Sequence, residues 1–161
     1  PRRGTFVQRF SARDLRELYD VRLCLELWAA RQSVESASDQ EVSGLRELLL
    51  GFQPLFDGDE RKDLVVFASQ NRDFHTYLVG LVHNGRLLSI YQRLNIDVLG
   101  SRIYRQADAI RSARTVYSEH EAIVLSYEAQ DRAAAEAAIT AHLITARDSH
   151  SKAFAASDRP K

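Results

Sequence analysis

The sequence predicts an all-α protein, an antiparallel bundle of about six helices preceded by a short strand. Prolines stand only at positions 1, 54 and 159, and there are seven glycines, so little interrupts the chain. Leu, Ala, Arg and Glu, all strong helix formers, dominate between them. Apolar residues recur at the three- and four-residue spacing of a buried helical stripe. At 161 residues the chain is long enough to bury one adequate core without staples.

The elements follow in order. Gly4-Thr5-Phe6-Val7 reads as a short strand after a turn, with Arg2 and Arg3 before it. Ser11-Ala12-Arg13-Asp14 has the form of a capping box and opens a helix to about Ser38, with a stripe at Leu18, Val21, Leu25 and Trp28. Asp39 caps a second helix carrying Val42, Leu45, Leu48 and Leu49, which the segment from Gln53 through Pro54 to Asp59 ends. A third helix covers about Glu60 to His83 and stops at Asn84-Gly85. A fourth, bearing arginines, runs from near Arg86 to about Gln106. A fifth spans about Ala109 to Glu128, and Asp131 caps a sixth that reaches Phe154 before a polar tail. Short connections make neighbours antiparallel.

Lys plus Arg equals Asp plus Glu, 22 against 22, so the chain as a whole is not a nucleic-acid-binding surface. No apolar run approaches the ~20 residues of a membrane span, and the N-terminus has no signal-peptide pattern, so a soluble, cytoplasmic protein is expected. The single cysteine, Cys24, cannot form an intrachain disulfide and is expected as a buried filler. The chain contains no methionine, even at position 1, which reads as a fragment or a processed product.

Three histidines carry the chemistry. His75 lies on the third helix in the stripe Phe67, Asn71, Phe74, His75, Leu78, Val82, with Asn71 one turn before it on the same face. His120 occupies the fifth-helix stripe with Val116, Ile123, Val124 and Tyr127, and His142 the sixth with Ala135, Ala138, Ile139 and Ala146. The turn at Ala129-Gln130 falls about nine residues after His120 and about twelve before His142. At ~1.5 Å of rise per residue, both imidazoles stand at one level of a hairpin. Each alone reads as a hydrogen-bonded core residue. Together with Asn71 they are costly to bury unpaired, and a divalent cation would satisfy all four. Nitrogen ligands with an oxygen donor suit Zn²⁺, Ni²⁺ or Co²⁺. A neutral donor set leaves the ion's charge uncompensated and predicts a small acidic ligand. His83 and His150 read as structural or surface residues, and Asp73 points away from His75.

With these residues in place, the chain resembles a known family. Tyr19-Asp20-Val21-Arg22 with Leu25-Glu26, Asn71-Arg72-Asp73-Phe74-His75, Asn84, Glu119-His120-Glu121-Ala122-Ile123, and Asp131 with His142-Leu143 resemble the FCD domain. That is the C-terminal effector domain of GntR-type transcription regulators of the FadR subfamily. The resemblance spans about residues 14 to 154. Arg3-Gly4-Thr5-Phe6-Val7 is similar to the closing wing strand of the family's winged-helix DNA-binding domain.

The resemblance implies residues 1–10 as the end of the wing and a linker, 11–156 as a ligand-binding and dimerisation domain, and 157–161 as a tail. It implies a homodimer, with the first and fourth helices as candidate faces, and operator DNA bound by an N-terminal domain outside this chain. Arg2 and Arg3 would then lie near DNA phosphate. It carries Asn71, His75, His120 and His142 over as metal ligands, Zn or Ni foremost; many relatives have Asp at the position of Asn71. It carries Arg22 and Arg102 over as contacts to a small carboxylate effector. Arg22 has a second reading as a salt bridge to Glu26, and Asn84 reads as a helix cap. The chain is therefore expected not to be an enzyme. The rival is a metal-dependent hydrolase, which needs a general base; on these stripes no Asp or Glu is expected near the histidines, and Glu121 points off them.

Overall fold

The computed structural model describes residues 11–53, 63–94 and 109–157, and among these the chain forms six helices. They are α1 (Ala12–Ser33), α2 (Asp39–Leu50), α3 (Asp63–Gly80), α4 (Gly85–Gln92), α5 (Ala109–Glu128) and α6 (Arg132–Ser157). The expected strand with Arg2 and Arg3, the end of the tail, and Arg102 lie outside the described residues.

The capping box of α1 forms as its sequence predicts. Ser11 Oγ accepts from Asp14 N at 3.2 Å, and Asp14 Oδ2 accepts from Ser11 N at 2.7 Å. α1 ends at Ser33, short of the expected Ser38, because Ser36 and Ala37 fold their N–H groups back onto the Ser33 carbonyl. Ser38 rather than Asp39 then caps α2, since Glu41 stands three residues on and completes a second box: Ser38 N donates to Glu41 Oε2 at 2.8 Å.

Asn84 caps α4, its Oδ1 accepting from Arg86 N and Leu87 N, both at 3.1 Å. α4 ends at Gln92, where the N–H groups of Arg93 and Leu94 turn back to the Ile90 and Tyr91 carbonyls; the rest of the expected fourth helix, to Gln106, lies outside the described residues.

Between α5 and α6 the chain reverses on a Schellman turn. Asp131 N bonds Ser126 O at 2.9 Å and Gln130 N bonds Tyr127 O at 3.1 Å, with Gln130 at φ 51. Asp131 then caps α6 as expected, accepting from Ala134 N at 2.9 Å.

α1 packs along α6 and also meets α3 and α4; α5 pairs with α6, and α2 closes over α3 and α5. The core between them holds Leu15, Phe52, Phe74, Leu78, Ile123 and Ile139, all fully buried. Each such side chain contributes about 1.5–3 kcal/mol of transfer free energy.

The buried face of α1 is not the one expected. Leu15, Tyr19, Arg22, Glu26, Ala29, Ala30 and Ser33 face inward, while Val21 and Trp28 are each 43% exposed and Leu18 and Leu25 half-buried. The most apolar stripe lost to one carrying an ion pair, because that pair finds partners inside the bundle. Cys24 goes outward with Val21 and is exposed, so it is not a buried filler.

Candidate metal centre

Three helices deliver one histidine each to the middle of the bundle: His75 from α3, His120 from α5 and His142 from α6, all buried. Their ligating atoms lie within 4.8 Å of one another, the one such cluster of His, Cys, Asp or Glu among the described residues. His75 Nε2 stands 3.1 Å from His120 Nε2 and 3.1 Å from His142 Nε2. The rings of His120 and His142 approach to 4.6 Å between centroids, at one level of the α5–α6 hairpin as the spacing predicts. Phe74 stacks on His120 at 4.2 Å and 22°, fixing that ring by packing.

Two carboxylates fix the other two rings. Glu26 Oε2 lies 2.8 Å from His75 Nδ1, and Glu119 Oε2 lies 2.8 Å from His142 Nδ1. A carboxylate only accepts, so in each pair the ring Nδ1 carries the hydrogen and Nε2 is left with a lone pair. Those two lone pairs then face each other at 3.1 Å without a proton to share. His120 could donate one N–H to His75, while its own Nδ1 is buried without a hydrogen-bond partner.

A cation at the convergence of the three Nε2 atoms would relieve this. For ligands ~2.0–2.1 Å from an ion, adjacent nitrogens fall roughly 2.9–3.4 Å apart, and the two 3.1 Å separations from His75 Nε2 match that spacing for a first-row divalent metal. Asn71 is half-buried one helical turn before His75, where the pattern places the oxygen donor.

Burial keeps the rings of His75 and His120 neutral. Burial pushes His75 down to about 4, against the opposing pull of Glu26. Burial also lowers His120 well below the ordinary histidine range, with His142 and His75 adding to it. Burial would raise Glu26, but the facing His75 and Arg22 outweigh it and hold the carboxyl at about 2.

Arg22 forms the salt bridge of its second reading. Its Nε donates to Glu26 Oε1 at 3.0 Å, and its Nη2 is buried with no hydrogen-bond partner. Its Cζ sits 5.1 Å from the centre of the Tyr19 ring. Burial works against the guanidinium's charge, yet Tyr91 and Glu26 outweigh it and keep it protonated.

Glu26 and Glu119 are the neighbours of the site that sequence reasoning missed, and they correct the expectation that no acidic side chain lies near the histidines. Both are engaged at an Nδ1, on the far side of the ring from the convergence point, which is not the place of a free general base. The other histidines stay apart: exposed His83 pairs with Glu41 at 2.8 Å, and half-buried His150 meets the Tyr19 hydroxyl at 2.6 Å. Asp73 is exposed and pairs with Arg72.

Residues 17–145, which include Asn71 and the three histidines, match the model of the FCD domain family. The chain is 26% identical over 142 residues to the uncharacterized HTH-type transcriptional regulator YdhC of Bacillus subtilis (strain 168), covering 88% of this chain and 62% of that protein. It is 32% identical over 95 residues to the Nta operon transcriptional regulator of Aminobacter aminovorans, covering 58% and 42%. Among solved structures it is similar to E. coli McbR/YncC, with a TM-score of 0.74 and 18% identity over 87% of this chain and 65% of that one. It is also similar to a GntR-family transcriptional regulator from Pseudomonas syringae pv. tomato str. DC3000, with a TM-score of 0.71 and 16% identity over 94% and 61%. The chain spans less than two thirds of the length of each of these proteins. None of them is named as an enzyme.

Proposed function

Because this chain belongs to the FCD domain family, we propose that it is the effector-binding and dimerisation domain of a cytoplasmic GntR-type transcription regulator, sensing a small carboxylate beside a bound divalent metal. The observation that carries the metal is the facing of two Nε2 lone pairs, each fixed by a carboxylate at the opposite ring nitrogen. His75, His120 and His142 would hold the ion with Asn71 as oxygen donor, and Zn²⁺ or Ni²⁺ suits that set. When bound, the ion supplies positive charge and open coordination positions for an anion.

Arg22 supplies the second anchor. Its unpartnered Nη2 is a buried donor that a carboxylate oxygen would satisfy, and its charge is retained in the fold. The effector would act by favouring one of two arrangements of the dimer, which requires different affinity for each. Operator DNA would be read by a winged helix outside these residues, a role that the regulators among the relatives support. The outward Val21 and Trp28 of α1 and Ile90 of α4 give a second copy apolar surface to cover. On this reading the chain senses and does not catalyse; the relatives are named as transcriptional regulators.

Elemental analysis of the purified domain tests this reading. Close to one Zn or Ni per chain is expected, lost in His75→Ala and His120→Ala. Absence of bound metal, with no rise in Tm on adding Zn²⁺ or Ni²⁺, would leave only a metal-free pocket around Arg22.

A further inference from the structure

The two carboxylates behind the histidines are not equivalent. Glu119 is part-exposed and bonds His142, and no guanidinium meets it among the described residues. Glu26 is fully buried and divides its oxygens between two sites. Oε2 accepts from His75 Nδ1 at 2.8 Å, whereas Oε1 accepts from Arg22 Nε at 3.0 Å and from the Tyr91 hydroxyl at 2.7 Å. One side chain of α1 thus joins a residue of the metal centre to the arginine whose remaining donor is unfilled.

We propose that Glu26 is a positioning residue that relays anion binding at Arg22 to the metal ligand His75, so that metal and carboxylate bind with positive coupling even where the carboxylate does not touch the ion. Its charge is shared between the guanidinium and the imidazole N–H. An anion on Arg22 draws the guanidinium's charge toward itself and loosens its hold on Oε1. More of the carboxylate's charge then falls on His75 Nδ1–H, and the imidazole becomes a better donor at Nε2. Linkage requires the reverse as well: a filled metal centre tightens the hold on the anion by the same factor. His142 has no such connection, so the coupling enters through one ligand of the three. The inference rests on the metal-centred reading above.

Co²⁺ affinity, read from its visible absorption, tests the relay in acetate and in perchlorate at equal ionic strength. In the wild-type domain acetate is expected to tighten Co²⁺ on the order of 5-fold. Glu26→Gln is expected to weaken Co²⁺ roughly 10- to 100-fold and to abolish the acetate dependence. A second readout needs no variant: in proton NMR the His75 Nδ1–H resonance should shift with acetate while that of His142 stays in place. Acetate tightening that persists in Glu26→Gln, no acetate effect in the wild type, or a His75 resonance indifferent to acetate overturns the relay. A wild-type domain that takes up no Co²⁺ overturns the metal-centred reading itself; the NMR shift with acetate alone then still decides whether Arg22 and His75 communicate through Glu26.

Discussion

His75 is neutral in the fold because burial lowers it from 6.5 to about 4, and the same direction holds for His120 and for His150, lowered to about 4. Above pH 6.5 neither folded nor unfolded chain protonates these rings, and their contribution to stability is intact. Between 6.5 and 4 the unfolded chain takes protons that the folded chain refuses, so stability falls as pH falls. For His75 alone the loss is on the order of 3 kcal/mol. Urea unfolding of the chelated domain at pH 7 and at pH 4.5 should show a markedly lower midpoint at the acid value; equal midpoints would mean the rings are solvated. Metal release should follow the same window, since protonated imidazoles cannot ligate. The three histidines were legible in the sequence because helical spacing puts each on a stripe whose neighbours are plainly apolar. Glu26 and Glu119 were not, because a charged residue on a helix is usually solvated. A signal did exist for the first: Leu15, Tyr19, Arg22, Glu26, Ala29 and Ser33 also have helical spacing, and Arg22 with Glu26 forms an i, i+4 pair that can go inward together.

Helix ends depend on a few local bonds, and they can be tested one by one. Ser38→Ala removes the hydroxyl half of the α2 box, the acceptor for Glu41 N, and should cost about 1 kcal/mol in thermal or urea unfolding, whereas Asp39→Ala should cost less because Ser38 is the cap. Gln130 holds φ 51, a left-handed conformation that glycine adopts freely, so Gln130→Gly should stabilise the domain by roughly 1 kcal/mol. A loss of stability there would show that the glutamine side chain makes a contribution larger than the strain. Capping chemistry made the starts of α1 and α6 readable to the residue, since Ser11 and Asp131 each satisfy first-turn donors. The end of the fourth helix was not readable. Nothing in Tyr91-Gln92-Arg93-Leu94 breaks a helix by propensity, and the turn there is made by backbone bonds to carbonyls three residues back.

For the whole bundle, the fold class followed from composition and period, but which side of α1 faces inward depended on what the other helices offer it. The outward side has a consequence that fluorescence can read, because Trp28 is the only tryptophan. If a second copy covers α1, the Trp28 emission should shift to the red on dilution, and Trp28→Arg should sediment as a monomer; emission independent of concentration together with a monomeric wild type would assign that surface elsewhere. The placement of one histidine on each of three helices also has a polymer consequence. His75 and His120 are 45 positions apart along the chain, and His75 and His142 are 67. An ion shared among them would pin three remote points of the backbone and close two large loops. Pinning a chain in this way removes freedom from its denatured ensemble, as a covalent crosslink does, and the gain grows only slowly with loop size. The ion would be a removable rivet, so cellular metal supply would set how long the folded domain survives as well as what it senses.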